Sequence, residues 1–122
     1  MQKKILIVED DPPILEFLAF WLTKQDYEIS TAEDGLSALE KIKTDKPDLI
    51  LLDVMLPQMD GFEVCKKIRA DENTKNIPVI FVTCKDAIED IEKGFNVGGN
   101  DYVTKPIDNN HLLGRIKKIL AE

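Results

Sequence analysis

Five short strand-like segments separated by helical patterns constrain the fold of this chain more than any other feature of its sequence. Three segments, residues 5–8, 49–52 and 79–82, are continuously apolar, which is typical of strands covered on both faces of a parallel sheet. Two segments, residues 27–31 and 101–104, are more polar, and we interpret them as edge strands. This arrangement predicts a doubly wound α/β fold: a five-stranded parallel sheet with the flavodoxin-like order 2-1-3-4-5.

Five helices are predicted between and after these strands. Aspartates stand at N-cap positions before three of them, at Asp11, Asp34 and Asp108. The last four helices carry apolar residues at i, i+3 and i+4, the spacing of one buried stripe. These stripes are Ala38, Leu39 and Ile42; Val64, Cys65 and Ile68; Ile88, Ile91 and Phe95; and Leu112, Leu113, Ile116, Ile119 and Leu120.

The first helix departs from the single-stripe pattern. Its apolar residues between Ile14 and Leu22 cover more than half of the circumference, and Phe20 falls on the remaining, polar side. One sheet face cannot cover so much apolar surface. Either the outer edge of this helix docks a partner, or its aromatic side chains fold back over neighbouring loops, and both interpretations stay open.

Composition excludes several classes of protein. The chain has 122 residues, which is the size of one domain, and we assign residues 1–122 to it. A net charge of -7 argues against direct nucleic-acid binding and against an anionic membrane surface. The first apolar run is too short for a signal-peptide core, so a cytoplasmic protein is expected. Cys65 and Cys84 lack metal or disulfide spacing, and we predict that both are buried free thiols.

Polar side chains follow the strands at the points where the strands end. Glu9 and Asp10 follow the first strand, Asp53 follows the third, Thr83 ends the fourth, and Lys105 follows the fifth. The carboxyl ends of parallel strands meet at one edge of a sheet, where ligand sites of open α/β folds lie. We therefore expect these five residues to form one site.

The chemistry of these residues favours a magnesium ion and a phosphoryl group. Three neighbouring acids repel one another, so either one is protonated or a cation binds. Oxygen ligands suit Mg²⁺, with Asp10 and Asp53 as direct ligands and Glu9 binding directly or through water. Asp53 could act as a nucleophile toward phosphorus, while Lys105 and Thr83 contact the phosphoryl oxygens.

The chain resembles the receiver domain of bacterial two-component response regulators, a CheY-like fold. The matching segments are residues 5–11, 51–61, 82–83 and 98–106. The resemblance implies that Asp53 accepts a phosphoryl group from a histidine of a sensor kinase or of a histidine phosphotransfer protein. It also implies that Glu9, Asp10, Asp53 and the backbone carbonyl of Met55 hold Mg²⁺, and that Thr83 and Lys105 contact the phosphoryl group.

The resemblance also implies a conformational switch. Tyr102 matches the switch aromatic, which swings inward when Thr83 moves toward the phosphate, and the fourth helix, fifth strand and fifth helix form the output surface. A downstream protein, an effector domain beyond this sequence or a phosphorylation-dependent dimer would then respond. Segment 98–100 is expected to be more flexible than usual in the family, and His111 is expected at the surface.

Three other classes of protein compete with this interpretation. A haloacid-dehalogenase-type phosphohydrolase should have a second aspartate where this chain has Met55. A flavin carrier should have a first loop rich in Ser, Thr and Gly, whereas this loop begins with acids. A pseudo-receiver that only binds proteins would not need the acids, Thr83 and Lys105 together. We therefore expect a regulatory domain that turns over no external substrate.

Overall fold

The computed structural model describes residues 2–122 and places all of them in one α/β fold. The elements are β1 (Lys4–Val8), α1 (Pro12–Lys24), β2 (Glu28–Ala32), α2 (Gly35–Asp45), β3 (Leu49–Leu52), α3 (Gly61–Ala70), β4 (Val79–Thr83), α4 (Ile88–Asn96), β5 (Asp101–Thr104) and α5 (Asn109–Leu120). The strands pair in parallel in the order β2-β1-β3-β4-β5, so the predicted fold class, strand order and edge strands are confirmed.

The three continuously apolar strands are buried on both faces of the sheet. Alternate residues of β1, β3 and β4 point to opposite sides. One side packs on α1 and α5, and the other packs on α2 and α3. Leu6, Ile50 and Phe81 belong to the second side, whereas Ile5 and Leu49 belong to the first. Burial on two faces explains why these strands contain no alternating polar positions.

The strand β2 begins one residue later than the sequence predicts. The N–H of Tyr27 donates to the carbonyl of Leu22 at 3.3 Å, so Tyr27 closes the turn after α1. Pairing with β1 starts only at Glu28, opposite Lys4. Tyr27 is nevertheless buried, because its ring packs with the α1 side of the core.

Two of the three predicted aspartate caps form hydrogen bonds with their helices. Asp34 accepts from the N–H of Ser37 at 2.8 Å, and Asp108 accepts from the N–H of His111 at 3.2 Å. Asp11 occupies the N-cap position of α1, but within residues 2–122 its side chain makes no capping bond. Pro13 removes one of the N–H groups to which an N-cap side chain usually bonds.

The apolar stripe predicted for α4 is wrong at two positions. Ile88 is 76% exposed and Phe95 is 47% exposed. The helix approaches the sheet through Gly94, which is buried, and a Cβ placed there would come within 2.8 Å of the Tyr102 ring. Because the backbone of α4 is the contacting surface, its larger apolar side chains lie to one side of the interface.

Cysteine burial and segment 98–100 also differ from expectation. Cys65 is buried as predicted, but Cys84 is exposed, since it lies just after β4 ends. Segment 98–100 is held in place by hydrogen bonds rather than left loose. Arg69 donates to the carbonyl of Gly98 at 3.0 Å and to Oδ1 of Asn100 at 2.9 Å, and Asn100 also accepts from the N–H of Val79.

The helix α1 leaves aromatic side chains in solvent. Leu15, Leu18 and Leu22 are buried against the sheet, whereas Phe17 is 49% exposed and Phe20 is 66% exposed. Phe17 stacks along the helix on Trp21, with ring centroids 6.5 Å apart. These contacts lie along α1 itself, so the exposed aromatic surface is available to a partner, and docking there stays a prediction.

In the part of the chain that the structure describes, helices are all too short and too polar to span a bilayer.

Candidate functional site

The predicted acidic residues meet at the carboxyl edge of the sheet. β1 and β3 are neighbours, with Val8 opposite Leu52, so the residues that follow them lie side by side. Glu9 and Asp53 are buried and Asp10 is exposed. Oxygen atoms of the three carboxylates lie within 4.8 Å of one another.

Lys105 joins two of these carboxylates. Its Nζ lies 2.5 Å from Oε1 of Glu9 and 3.0 Å from Oδ2 of Asp53, and its side chain is 9% exposed. The backbone N–H of Lys105 donates to the carbonyl of Thr83 at 2.9 Å, which anchors the lysine beside the end of β4. The peptide bond between Lys105 and Pro106 is cis, a conformation that the sequence permits.

Backbone N–H groups bond to the other carboxylate oxygen of Asp53 and of Glu9. The N–H of Met55 donates to Oδ1 of Asp53 at 3.0 Å, and the N–H of Asp11 donates to Oε2 of Glu9 at 3.2 Å.

Gly61 lies against the backbone of Asp53, where an added Cβ would come within 2.2 Å of the Asp53 carbonyl oxygen. Gly61 ends the matching segment 51–61, but no role for it was predicted from the sequence. The structure shows that a side chain at this position would displace Asp53.

Carboxyl groups outnumber cationic groups at the site. Burial raises the pKa of Glu9 to about 7, and repulsion from Asp53 adds to this, against the opposing effects of the Lys105 and Asp11 hydrogen bonds. Burial alone would lower the pKa of Lys105, but its bonds to Glu9 and Asp53 outweigh burial and raise it. One ammonium group therefore faces three carboxyl groups, and their oxygen donors fit a hard divalent cation such as Mg²⁺.

Thr83 and Tyr102 are linked through Lys85. Thr83 ends β4 and is fully buried, and its Oγ1 accepts from the N–H of Lys85 at 3.3 Å. The hydroxyl of Tyr102 donates to the carbonyl of the same Lys85 at 2.6 Å. Burial, followed by the charges of nearby aspartates, raises the pKa of Tyr102 to about 12. The two predicted switch residues thus bond to one loop residue.

A cleft of about 600 Å³ opens beside the carboxylates. Its lining includes Asp10 and Met55 from the predicted site, together with Lys85 and Lys93. Lys93 was not found from the sequence, and its Nζ lies 4.9 Å from the centroid of the Phe62 ring. Nothing in the sequence signals this contact, because it joins α4 to α3, two helices on the same face of the sheet whose contacting residues are about thirty positions apart in the chain.

The remaining predicted residues divide between the site and the surface. The side chain of Met55 is 53% exposed at the mouth of the cleft, and the role of its carbonyl as a metal ligand stays a prediction. His111 is exposed on α5, as expected.

The fold and this site together define a class of signalling domain. Residues 5–117 match the family model described as the response regulator receiver domain. The chain belongs to the response regulator receiver family, and it is a regulatory domain of the two-component type.

Curated relatives carry the same domain within longer chains. The chain is 44% identical over 120 residues to the alkaline phosphatase synthesis transcriptional regulatory protein PhoP of Bacillus subtilis, covering 98% of this chain and 49% of the relative. It is 44% identical over 119 residues to the response regulator PleD of Caulobacter vibrioides, covering 98% of this chain and 26% of PleD. The chain therefore spans between about a quarter and about half of these relatives.

Solved structures agree with the fold. A two-component response regulator from Clostridium difficile has a TM-score of 0.93 at 34% identity, with 99% of this chain and 98% of that chain covered. The BeF3-activated N-terminal receiver domain of RstA from Klebsiella pneumoniae has a TM-score of 0.92 at 33% identity, with 98% and 100% covered.

Proposed function

We propose that Asp53 is the phosphoacceptor of a phosphorelay switch. The observation that carries the proposal is the environment of its carboxylate. Asp53 is buried, Lys105 bonds to one of its oxygens, the Met55 N–H bonds to the other, and Glu9 and Asp10 lie within reach of a shared cation. A carboxylate held this way has a fixed orientation and a cationic neighbour for an incoming phosphoryl group.

The proposed reaction transfers a phosphoryl group to an oxygen of Asp53. A P–O bond to the Asp53 carboxylate forms as the P–N bond to a histidine of a partner kinase or phosphotransfer protein breaks, and the departing imidazole nitrogen takes up a proton. Lys105 offsets charge on the phosphoryl oxygens, and Thr83 donates a hydrogen bond to one of them. Mg²⁺, bound by Glu9, Asp10, Asp53 and the Met55 carbonyl, would supply further positive charge.

The proposed consequence is a changed surface rather than a released product. Thr83, Lys85 and Tyr102 connect the site to α4 and β5. Residues 1–122 would act as one receiver domain, with a sensor kinase upstream and a protein target, an effector domain or a second copy downstream. Because no external substrate is converted, the domain is a switch and not an enzyme in the usual sense.

Intact mass measured after incubation with acetyl phosphate tests this proposal. We expect the mass of one added phosphoryl group in the presence of Mg²⁺, none without it, and none in Asp53→Asn. Asp60→Asn is the matched control, because Asp60 lines the same cleft and its N-cap bond to Glu63 suits asparagine equally well. It should be phosphorylated like the wild type. A folded wild type that gains no mass from acetyl phosphate or from a purified kinase would indicate a pseudo-receiver.

A further inference from the structure

Phe81 supports the ring of Tyr102 from within the sheet. Phe81 is fully buried in β4, and the parallel register places it opposite Tyr102 in β5. The two ring centroids are 5.8 Å apart and the ring planes are tilted by 41°. This separation and tilt lie in the range that aromatic pairs prefer. Phe81 therefore contacts Tyr102 through ring faces and edges.

Two glycines complete the enclosure around this pair of rings. A Cβ added at Gly94 would come within 2.8 Å of Cδ2 of Tyr102, and one added at Gly99 would come within 2.6 Å of Cε2 of Phe81. The rings thus occupy the space that side chains at these positions would need. The backbone of α4 at Gly94 lies against both rings, since the same added Cβ would come within 3.3 Å of Cδ2 of Phe81.

The position of the ring determines the hydrogen bond at its far end. With the ring packed against Phe81 and Gly94, the Tyr102 hydroxyl reaches the carbonyl of Lys85 at 2.6 Å. The N–H of Lys85 in turn donates to Thr83. Rotation of Tyr102 away from the sheet would break the aromatic contact and this hydrogen bond together.

We call the orientation of Tyr102 in this structure inward: its ring packs on Phe81 and its hydroxyl bonds to the carbonyl of Lys85. We infer that Phe81 is a positioning residue that favours this inward orientation before Asp53 is modified. Aromatic pairs of this geometry change a two-state ratio by about three- to tenfold. The functional consequence rests on the proposed phosphoacceptor role of Asp53. If phosphorylation favours inward Tyr102, then inward Tyr102 favours phosphorylation by the same factor. Phe81 would therefore make Asp53 easier to phosphorylate without touching the phosphoryl group.

Fluorine NMR of protein labelled with 3-fluorotyrosine tests the inference directly. The sequence has two tyrosines, Tyr27 and Tyr102, so a Tyr27→Phe sample assigns both resonances. In Phe81→Leu we expect the Tyr102 resonance to move toward its position in urea, with Tyr27 unmoved. The matched control is Phe62→Leu, because the Phe62 ring contacts Phe81 at 5.5 Å and is similarly buried. It should leave Tyr102 nearly in place.

Three spectral outcomes would overturn the inference: an unmoved Tyr102 resonance in Phe81→Leu, an equal displacement in Phe62→Leu, or a parallel displacement of Tyr27 that signals general loosening. If Phe81→Leu fails to fold, Phe81→Met replaces it, since methionine fills the space without a ring. The same spectral outcomes then apply.

A second arm measures phosphorylation by acetyl phosphate with Mg²⁺. If transfer proceeds from the inward state, Phe81→Leu should reach half-phosphorylation more slowly than the wild type, by up to about threefold, because the lower end of the aromatic range is a threefold change in the inward-to-outward ratio. Equal rates would overturn the link between Tyr102 orientation and Asp53. If the wild type itself accepts no phosphoryl group, the proposed function fails, but the spectra without phosphodonor still decide whether Phe81 positions Tyr102.

Discussion

Lys105 donates to Oδ2 of Asp53 at 3.0 Å while the same Nζ lies 2.5 Å from Oε1 of Glu9. The lysine follows the edge strand β5, and the two acids follow the inner strands β3 and β1. One side chain therefore reaches past the end of β4 to neutralise charge on two other strands. Its removal would leave two buried carboxyl groups facing each other without a cation.

Lys105→Met should lower the free energy of unfolding by about 3 kcal/mol in Mg²⁺-free buffer, since breaking a buried ion pair leaves uncompensated charge. The loss should be at the low end of the usual range, because Glu9 can take up a proton. Added Mg²⁺ should restore part of the loss by replacing the ammonium charge. Urea titrations with and without Mg²⁺ measure both effects.

Lys75→Met is the control for Lys105→Met. Lys75 forms a 2.8 Å ion pair with Glu72, but the two side chains are 43% and 85% exposed. Exposed pairs of this kind contribute at most about 1 kcal/mol. Equal losses in the two variants, or a Lys105→Met protein whose stability ignores Mg²⁺, would refute the electrostatic account of the site.

The residues of the site could be predicted from the sequence, whereas the position of α4 on the sheet could not, for a physical reason. The strand ends place Glu9, Asp53, Thr83 and Lys105 at one edge, because parallel strands align their carboxyl ends. Periodicity cannot show where a helix lies across the sheet. Ile88 and Phe95 therefore looked buried, although α4 contacts the sheet through its backbone at Gly94.

Contacts between distant segments are the other part that the sequence does not reveal. Arg69 bonds to the carbonyls of Lys75, Ile77 and Gly98, and also to Asn100. Its partners are mostly backbone carbonyls, which every residue carries, so residue identity gives no signal. The two glycines in segment 98–100 therefore suggested flexibility, whereas in the folded chain hydrogen bonds from Arg69 hold this segment in place.

Two helical glycines should respond oppositely to alanine. Gly114 lies inside α5, and apart from its chain neighbours and the nearby backbone of its own helix, an added Cβ would meet no heavy atom of residues 2–122 within 4 Å. Gly114→Ala should therefore raise the free energy of unfolding by about 0.5–1 kcal/mol, because glycine loses more conformational freedom on folding. Gly94→Ala should lower it, since its Cβ would come within 2.8 Å of the Tyr102 ring. Urea midpoints of both variants provide the comparison. A stabilised Gly94→Ala would show that α4 does not contact Tyr102 so closely.

Alkaline pH should destabilise the protein through Tyr102. Its folded pKa of about 12 exceeds the value of about 10 for an unfolded tyrosine. Below pH 10 both states keep the proton, so the full contribution is present. As pH rises from about 10 toward about 12, the unfolded state loses its proton first, and the contribution is lost. The urea midpoint should therefore fall over this range.

The Tyr102→Phe variant isolates this effect from the titration of lysines. It lacks the ionisable hydroxyl, so its urea midpoint should fall less steeply between pH 10 and pH 12 than that of the wild type. It should also be less stable at pH 8 by about 1 kcal/mol, the usual net contribution of one hydrogen bond. Identical slopes in the two proteins would exclude Tyr102 as a source of the alkaline loss.

The exposed aromatic surface of α1 should be needed for transfer from a kinase but not from a small phosphodonor. Phe20 is 66% exposed, and its ring lies 5.3 Å from Nζ of Lys24. Phe20→Ser removes apolar surface without opening the core, unlike a change at the buried Leu15. We expect at least tenfold slower transfer from a purified cognate kinase, because buried aromatic anchors often dominate interface energy. The rate with acetyl phosphate should be unchanged.

Phe95→Ser, which alters an exposed aromatic on α4, is the matched control and should accept the phosphoryl group at the wild-type rate. Equal slowing of Phe20→Ser with both phosphodonors would show that the residue affects the site itself and that α1 is not the docking surface.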